Sequence, residues 1–207
     1  YDEDPRRAPT IIFIKEGEHH VAGRCGWKYL EINYPMKIIG AGRDKTTIHG
    51  GFFIAGTKKE GQRVELTDMT SSRADYGLYN NGGLSFFCDS MTFTHCVFSG
   101  VCARNTKGTL INCVVAKCGE SGIECGRNIL VVFGGSQTKV DGNVADGDDY
   151  RYGLETYDTS SIIHLLLPLT EESVFTNNHS SNDQNYDGAG TIQTVATLQE
   201  QYWSISS

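Results

Sequence analysis

Apolar and polar residues alternate with a period of two along most of this chain, in runs of four to eight residues. Val64-Glu65-Leu66-Thr67, Met91-Thr92-Phe93-Thr94 and Gly108-Thr109-Leu110-Ile111 are the plainest examples. That spacing puts alternate side chains on one face of an extended chain, so each run predicts a short half-buried strand rather than a helical turn. The stretch 10–21 begins with an apolar strand followed by a Lys-Glu-Gly turn. Further strands are expected at Met36–Ile39, Thr46–His49 and Phe52–Ile54.

The strands recur in phase. A Gly, an apolar residue and one further residue repeat as Gly77-Leu78-Tyr79, Gly100-Val101-Cys102, Gly122-Ile123-Glu124 and Gly153-Leu154-Glu155, at intervals of 23, 22 and 31 residues. Beside them runs a second thread of strands from 64, 91 and 108, each with a polar residue near its end: Asp68, His95 and Asn112. Repetition at about 22 residues with two or three strands per unit predicts a solenoid whose units stack. Leucine-rich repeats have a similar length, but residues 77–126 contain only Leu78, Leu84 and Leu110. The expected fold is therefore all-β, a single-stranded right-handed parallel β-helix with coils of about 22 residues. Val101 and Ile123 should stack inside it, as should Cys96 and Cys113, while Asp68, His95 and Asn112 form one polar ladder. Residues 1–9 are expected to be an N-terminal cap or linker, 10–195 the β-helix and 196–207 a C-terminal cap or tail, since bare sheet ends invite aggregation.

With these strands in place, residues 10–195 resemble the parallel β-helix repeat proteins of the pectate-lyase-like superfamily. "IIGAGRDKTTI", residues 38–48, is similar to a turn and strand found early in the pectin-acting members. The resemblance implies a fold shared by pectate lyases, pectin-modifying enzymes, phage tailspikes and intracellular β-helix proteins. It does not imply one reaction.

Composition narrows the function classes. The 207 residues include 24 Gly and 4 Pro, too much Gly for a helical bundle at ~1 kcal/mol per helical position. A net charge of −7 argues against nucleic acid, whose binding rests on Lys and Arg. No apolar run approaches the ~20 residues of a membrane helix, and 161–169 is short and carries a Pro. The chain starts at Tyr1, which is expected if it is an excerpt of a longer product. Seven cysteines, six of them between 88 and 125 and none in a CxxC pair, suggest free thiols packed as small apolar residues and favour a reducing intracellular compartment. The sequon Asn178-His179-Ser180 points the other way.

Three places offer chemistry. The interval between Gly122 and Gly153 exceeds a coil by about nine residues, and the surplus lies in 140–153, where an extruded loop is expected. Asp146, Asp148 and Asp149 there, with Glu155 after, are the candidate ligands for calcium, a hard cation that takes carboxylate oxygens. In lyases of the resembling fold, calcium acidifies a uronate's α-proton and an Arg or Lys removes it; Arg151 would be that base. Next, His95 and the pair His19-His20 have the side chain suited to acid–base work near neutrality, although a ladder accounts for His95 equally well. Finally, Asn178, Asn182 and Asn185 are good hydroxyl partners and Tyr186 offers a face to a pyranose, against a reading in which the Asn residues form turns and ladders.

Pectin hydrolases carry paired Asp signatures and a Gly-His-Gly; here Asp148-Asp149 is the sole Asp-Asp and the other motifs are missing. The expectation is a non-catalytic β-helix, binding a polysaccharide or protein along one face or serving as a structural rod, with calcium as its candidate cofactor. The alternative is a calcium-dependent polysaccharide lyase or epimerase acting on a uronate polymer. The oligomeric state is not readable from the sequence.

Overall fold

The computed structural model describes residues 9–22, 27–57, 59–127, 129–144, 151–178 and 186–196. The chain winds through three faces in strict rotation. Among the described residues, every third strand joins the same sheet and every strand pairing is parallel. Sheet 1 has eight strands, from Ile11–Phe13 and Met36–Ile39 through Ser85–Asp89 and Lys107–Ile111 to Thr191–Val195. Sheet 2 has seven, from Gly17–His20 and Thr46–His49 to Phe175–Thr176. Sheet 3 also has seven: Tyr29–Ile32, Gly51–Ile54, Leu78–Asn81, Val101–Arg104, Ile123–Gly126, Leu154–Thr156 and Tyr186–Gly188. The one helix among the described residues is a single turn, Glu171–Val174, capped by Thr170 and Ser173. The architecture is all-β with three stacked parallel sheets, a parallel β-helix.

Alternation in each strand becomes a ladder across the sheet. Ile38, Leu66, Cys88, Leu110, Phe133 and Leu165 are register partners in sheet 1, and all are fully buried. In sheet 3, Leu78, Val101, Ile123 and Leu154 pair in succession, so Val101 does stack beneath Ile123. A parallel repeat of this kind puts like residues about 4.8 Å apart along the axis, so the core is a column of side chains and few residues need a distant partner.

The corners explain the repeated polar residues. Asp68, Ser90 and Asn112 leave sheet 1 with φ near +50° to +60°, and each donates its amide to the coil above. Arg73, His95 and Lys117 do the same after sheet 2 and Asn105 after sheet 3, while Arg127 donates its amide to the Asp158 carboxylate and Asn177 shares the left-handed backbone. Left-handed backbone is costly for most L-residues and cheapest for Gly, Asn and Asp, which is why turns here are polar. His95 therefore belongs to a different corner from Asp68 and Asn112, and the expected single ladder divides in two. Cys96 likewise lies level with Cys118, two residues beyond the paired Thr94 and Ala116, and not with Cys113. Cys113 donates to the Cys88 carbonyl instead.

The glycines that open sheet 3 sit where neighbouring coils touch. A Cβ on Gly77 would lie 2.6 Å from the Gly100 carbonyl oxygen, and one on Gly122 would lie 2.7 Å from that of Gly153. The repeating Gly is thus a close-approach requirement that recurs once per coil.

Six cysteines, Cys88, Cys96, Cys102, Cys113, Cys118 and Cys125, are buried free thiols, and burial pushes the Cys113 thiol up to about 12. Cys25 lies outside the described residues, and so do the expected caps 1–9 and 196–207 apart from Pro9 and Ala196. Among the described residues, no helix is long and apolar enough to cross a membrane.

Candidate binding face on sheet 3

The third residue of each Gly-apolar triplet points away from the core. Glu31, Phe53, Tyr79, Cys102, Glu124, Glu155 and Asp187 are consecutive register partners across sheet 3, and together they draw a line down its outer surface. The upper end of that line in chain order is aromatic. Trp27 stacks on Tyr29 at 6.1 Å between centroids, Phe53 on Tyr79 at 5.5 Å and Tyr76 on Tyr79 at 5.3 Å, while Tyr76 and Phe98 are tilted neighbours at 5.3 Å. Tyr29 and Phe53 are tilted neighbours at 6.4 Å, which makes the row continuous. Trp27, Tyr29, Phe53, Tyr76 and Tyr79 wall a cleft of ≈ 740 Å³ that Glu31, Asn33 and Arg104 also line. Trp27 is 50 % exposed at its mouth.

Polar groups in this cleft are held in fixed orientations. Asn33 donates to Glu31 at 3.1 Å, and the Tyr76 amide donates to the Tyr29 hydroxyl at 3.2 Å. Burial pushes the Tyr76 phenol up to about 12, helped by the charge of Glu124, so it stays a neutral donor at physiological pH. Burial raises Tyr29 still further.

Beyond the rings the line turns ionic. Glu124 is only 2 % exposed although it faces outward, because Arg104 lies over it and donates to one carboxylate oxygen while Ser99 donates to the other at 3.3 Å. Partial burial opposes the Arg104 charge, but Glu124 outweighs it and holds the guanidinium above its usual range. The same guanidinium sits 5.7 Å from the centroid of Tyr157. A second cation follows: Arg151 pairs with Glu120 at 3.2 Å and Glu155 at 3.4 Å, and donates to the Tyr157 hydroxyl at 2.9 Å. Ser121 also donates to Glu155, at 2.7 Å. The result is rings at one end and interlocked Arg–Glu pairs at the other, along one parallel sheet.

The residues singled out from sequence are distributed differently. Arg151 is ion-paired, and although partial burial works against its charge, Tyr157, Glu120 and Glu155 raise its pKa. That is the direction opposite to the one proton abstraction needs, so the geometry gives no support to Arg151 as a base. Glu155 is committed to Ser121 and Arg151, and Asp146, Asp148 and Asp149 lie outside the described residues. The expected loop is shorter than 140–153, because Val140, Asn143 and Val144 are buried and belong to the coil.

Asn178 is 5 % exposed, and its side chain is spent on the neighbouring coil. It donates to the Val140 carbonyl at 3.0 Å and accepts from Asn143 at 2.9 Å, while Asn143 reaches on to Val115. That is an inter-coil ladder, and it leaves Asn178 facing the protein rather than a ligand. Tyr186 pairs with Leu154 on the inward register and tilts onto Phe175 at 6.0 Å, closing the end of the core. Asn182 and Asn185 lie outside the described residues. His95 is exposed at a corner, 2.9 Å from the Thr94 hydroxyl.

The outward line was within reach of the sequence. Its signal is the residue that follows each Gly-apolar pair, and extending the phrase to Gly51-Phe52-Phe53 adds the ring that links Tyr29 to Tyr79. No protein-family model, curated protein or solved structure matches this chain.

Proposed function

We propose that the protein is a non-catalytic binding module that takes a neutral oligosaccharide along the outer face of sheet 3. The observation that carries this reading is the unbroken row of rings from Trp27 to Phe98 flanking a cleft that Glu31, Asn33 and Arg104 also line. Sugar rings present C–H faces to aromatic planes and hydroxyls to planar donors and acceptors at their edges, and the cleft supplies both. Concave, ring-lined surfaces with a few fixed polar groups are the usual form of a small-ligand site. Arg104 already has Glu124 as its counter-charge, which favours an uncharged ligand over a uronate. The calcium-dependent lyase or epimerase is the weaker reading, since Arg151 is engaged by two carboxylates.

We also infer that the solenoid is right-handed with coils of about 22 residues, in the manner of the pectate-lyase-like proteins. Parallel crossover connections are right-handed in about 98 % of cases. Register partners such as Val64 and Phe86 support the coil length.

A neutral-glycan array with the wild type, Trp27→Ala and Phe87→Ala tests the function. Phe87 lies on sheet 1, away from the cleft and under Arg63. Hits lost by Trp27→Ala and kept by Phe87→Ala support the proposal. An array with no neutral hit, or hits indifferent to Trp27, removes it.

A further inference from the structure

A second cluster sits on the outer face of sheet 2, at the start of the solenoid. Glu18 and His20 are two residues apart on the strand Gly17–His20, so they share a face. His49 is the register partner of His20 on the next coil. The two imidazoles stack at 4.6 Å between centroids and 25° between planes, and the His49 Nε2 faces the Glu18 carboxylate at 3.4 Å. One donor atom from each of the three residues lies within 4.8 Å of the other two. Nδ1 of His49 is buried and has no hydrogen-bond partner, so Nε2 is the nitrogen this ring offers outward.

We propose that Glu18, His20 and His49 bind a divalent transition metal of the zinc class. Two imidazoles and one carboxylate are donors that zinc accepts, and a fourth position then remains for water. Bonds of about 2.0–2.2 Å in a tetrahedral site put donors about 3.3–3.5 Å apart. The His49–Glu18 separation already meets that spacing. The rest of the contraction falls to Glu18, whose side chain is 74 % exposed, and to exposed His20, while His49 stays fixed at 12 %.

Position in the fold gives the site a purpose. Gly17–His20 is the terminal strand of sheet 2, and its outer edge has no partner strand among the described residues. Terminal repeats of a solenoid have a neighbour on one side only and are the first to open. A metal held between His20 and His49 bridges the first coil to the second at that weak point. The same register line continues as Ser72, Thr94 and Ala116, so the three positions that follow His49 add no ligand of this class.

The test is zinc chloride titrated calorimetrically into the metal-stripped full chain, with zinc K-edge absorption on the product and amide hydrogen exchange of residues 17–20 and 46–49. Calcium chloride is the parallel titrant. The expected result is one zinc per chain with nitrogen and oxygen neighbours and slowed exchange in both strands. Affinity should fall at least tenfold in His20→Ala and in Glu18→Gln, and be unchanged in His95→Ala. His20 is exposed, so its variant keeps the test valid even where His49→Ala fails to fold. Absence of zinc binding overturns the proposal, and so does binding that His20→Ala leaves intact. Sulfur neighbours in the absorption spectrum overturn it as well, since they would place the metal on thiols.

Discussion

Gly108→Ala reads out the stacking register with a single methyl group. Gly108 is the register partner of Phe86 on sheet 1, and both face the core. A Cβ at Gly108 would sit 2.1 Å from Cζ of the Phe86 ring and 2.6 and 2.7 Å from its two Cε atoms. Carbon atoms in contact prefer about 3.5–4.0 Å, so the ring would have to retreat by about 1.4 Å. Phe86 is 2 % exposed within a continuous core, and such a retreat displaces its neighbours. Overpacking of this kind costs about 1–3 kcal/mol, and replacing a strand glycine by alanine returns about 0.5–1 kcal/mol. The 2.1 Å approach puts the overpacking cost near the upper end of its range, so the expected net loss is about 2 kcal/mol. Urea unfolding followed by far-ultraviolet circular dichroism would show it as a lower midpoint at unchanged slope. The pair Phe86→Ala and Gly108→Ala sharpens the test. Phe86→Ala alone should cost about 3–5 kcal/mol by leaving a cavity. In that background the new methyl has room, so Gly108→Ala should be neutral or stabilising, a coupling of at least about 1 kcal/mol. A Gly108→Ala protein within ~0.5 kcal/mol of wild type, or strict additivity of the two changes, would mean that the ring does not lie over Gly108 and that the register is wrong.

Other consequences follow from the same structure. Val101→Asp should lose several kcal/mol or fail to fold, because it buries an unpaired carboxylate between Leu78 and Ile123; a normal melting curve would contradict the inward ladder. Acid should loosen two corners. The Ser160 hydroxyl, the Arg127 and Ser160 amides and the Ser161 hydroxyl hold Asp158 down to about 2, from an ordinary 3.8, while Thr176 and Asn177 lower Asp141. A depressed folded-state pKa gives stability that is full above about 4 and lost as pH falls toward 2. Melting temperatures from pH 5 to pH 2 should therefore fall less steeply in Asp158→Asn than in the wild type. Equal slopes would remove Asp158 from the account.

Much of the fold was legible because a β-helix writes its period into the chain. Gly77, Gly100, Gly122 and Gly153 precede four successive sheet 3 strands and mark the period directly, and at Gly77, Gly100 and Gly122 close contact between coils demands the glycine. What the sequence concealed was phase around the coil. Asp68 and His95 both follow apolar strands and both take a left-handed turn, yet they leave different sheets, because each coil has three corners with similar chemistry. Cys96 pairs in height with Cys118 for the same reason. The sites were less legible. Asn178 reads equally as a ligand contact or as part of a ladder until its inter-coil partners decide for the ladder, and Arg151 reads as a candidate base until Glu120 and Glu155 close on it. Side chains that converge across coils, such as Phe53 with Tyr79 and Tyr76 with Phe98, are scattered in sequence and give no local motif.

The central claim is that the outer face of sheet 3 is the binding surface, and hydroxyl-radical footprinting of the full chain with neutral oligosaccharides at millimolar concentration tests it most directly. Bound sugar should slow oxidation of Trp27, Tyr29 and Tyr79 while leaving Phe87 on sheet 1 and His95 at the far corner unchanged. Protection centred on another face, or no protection with any neutral oligosaccharide, would contradict the account.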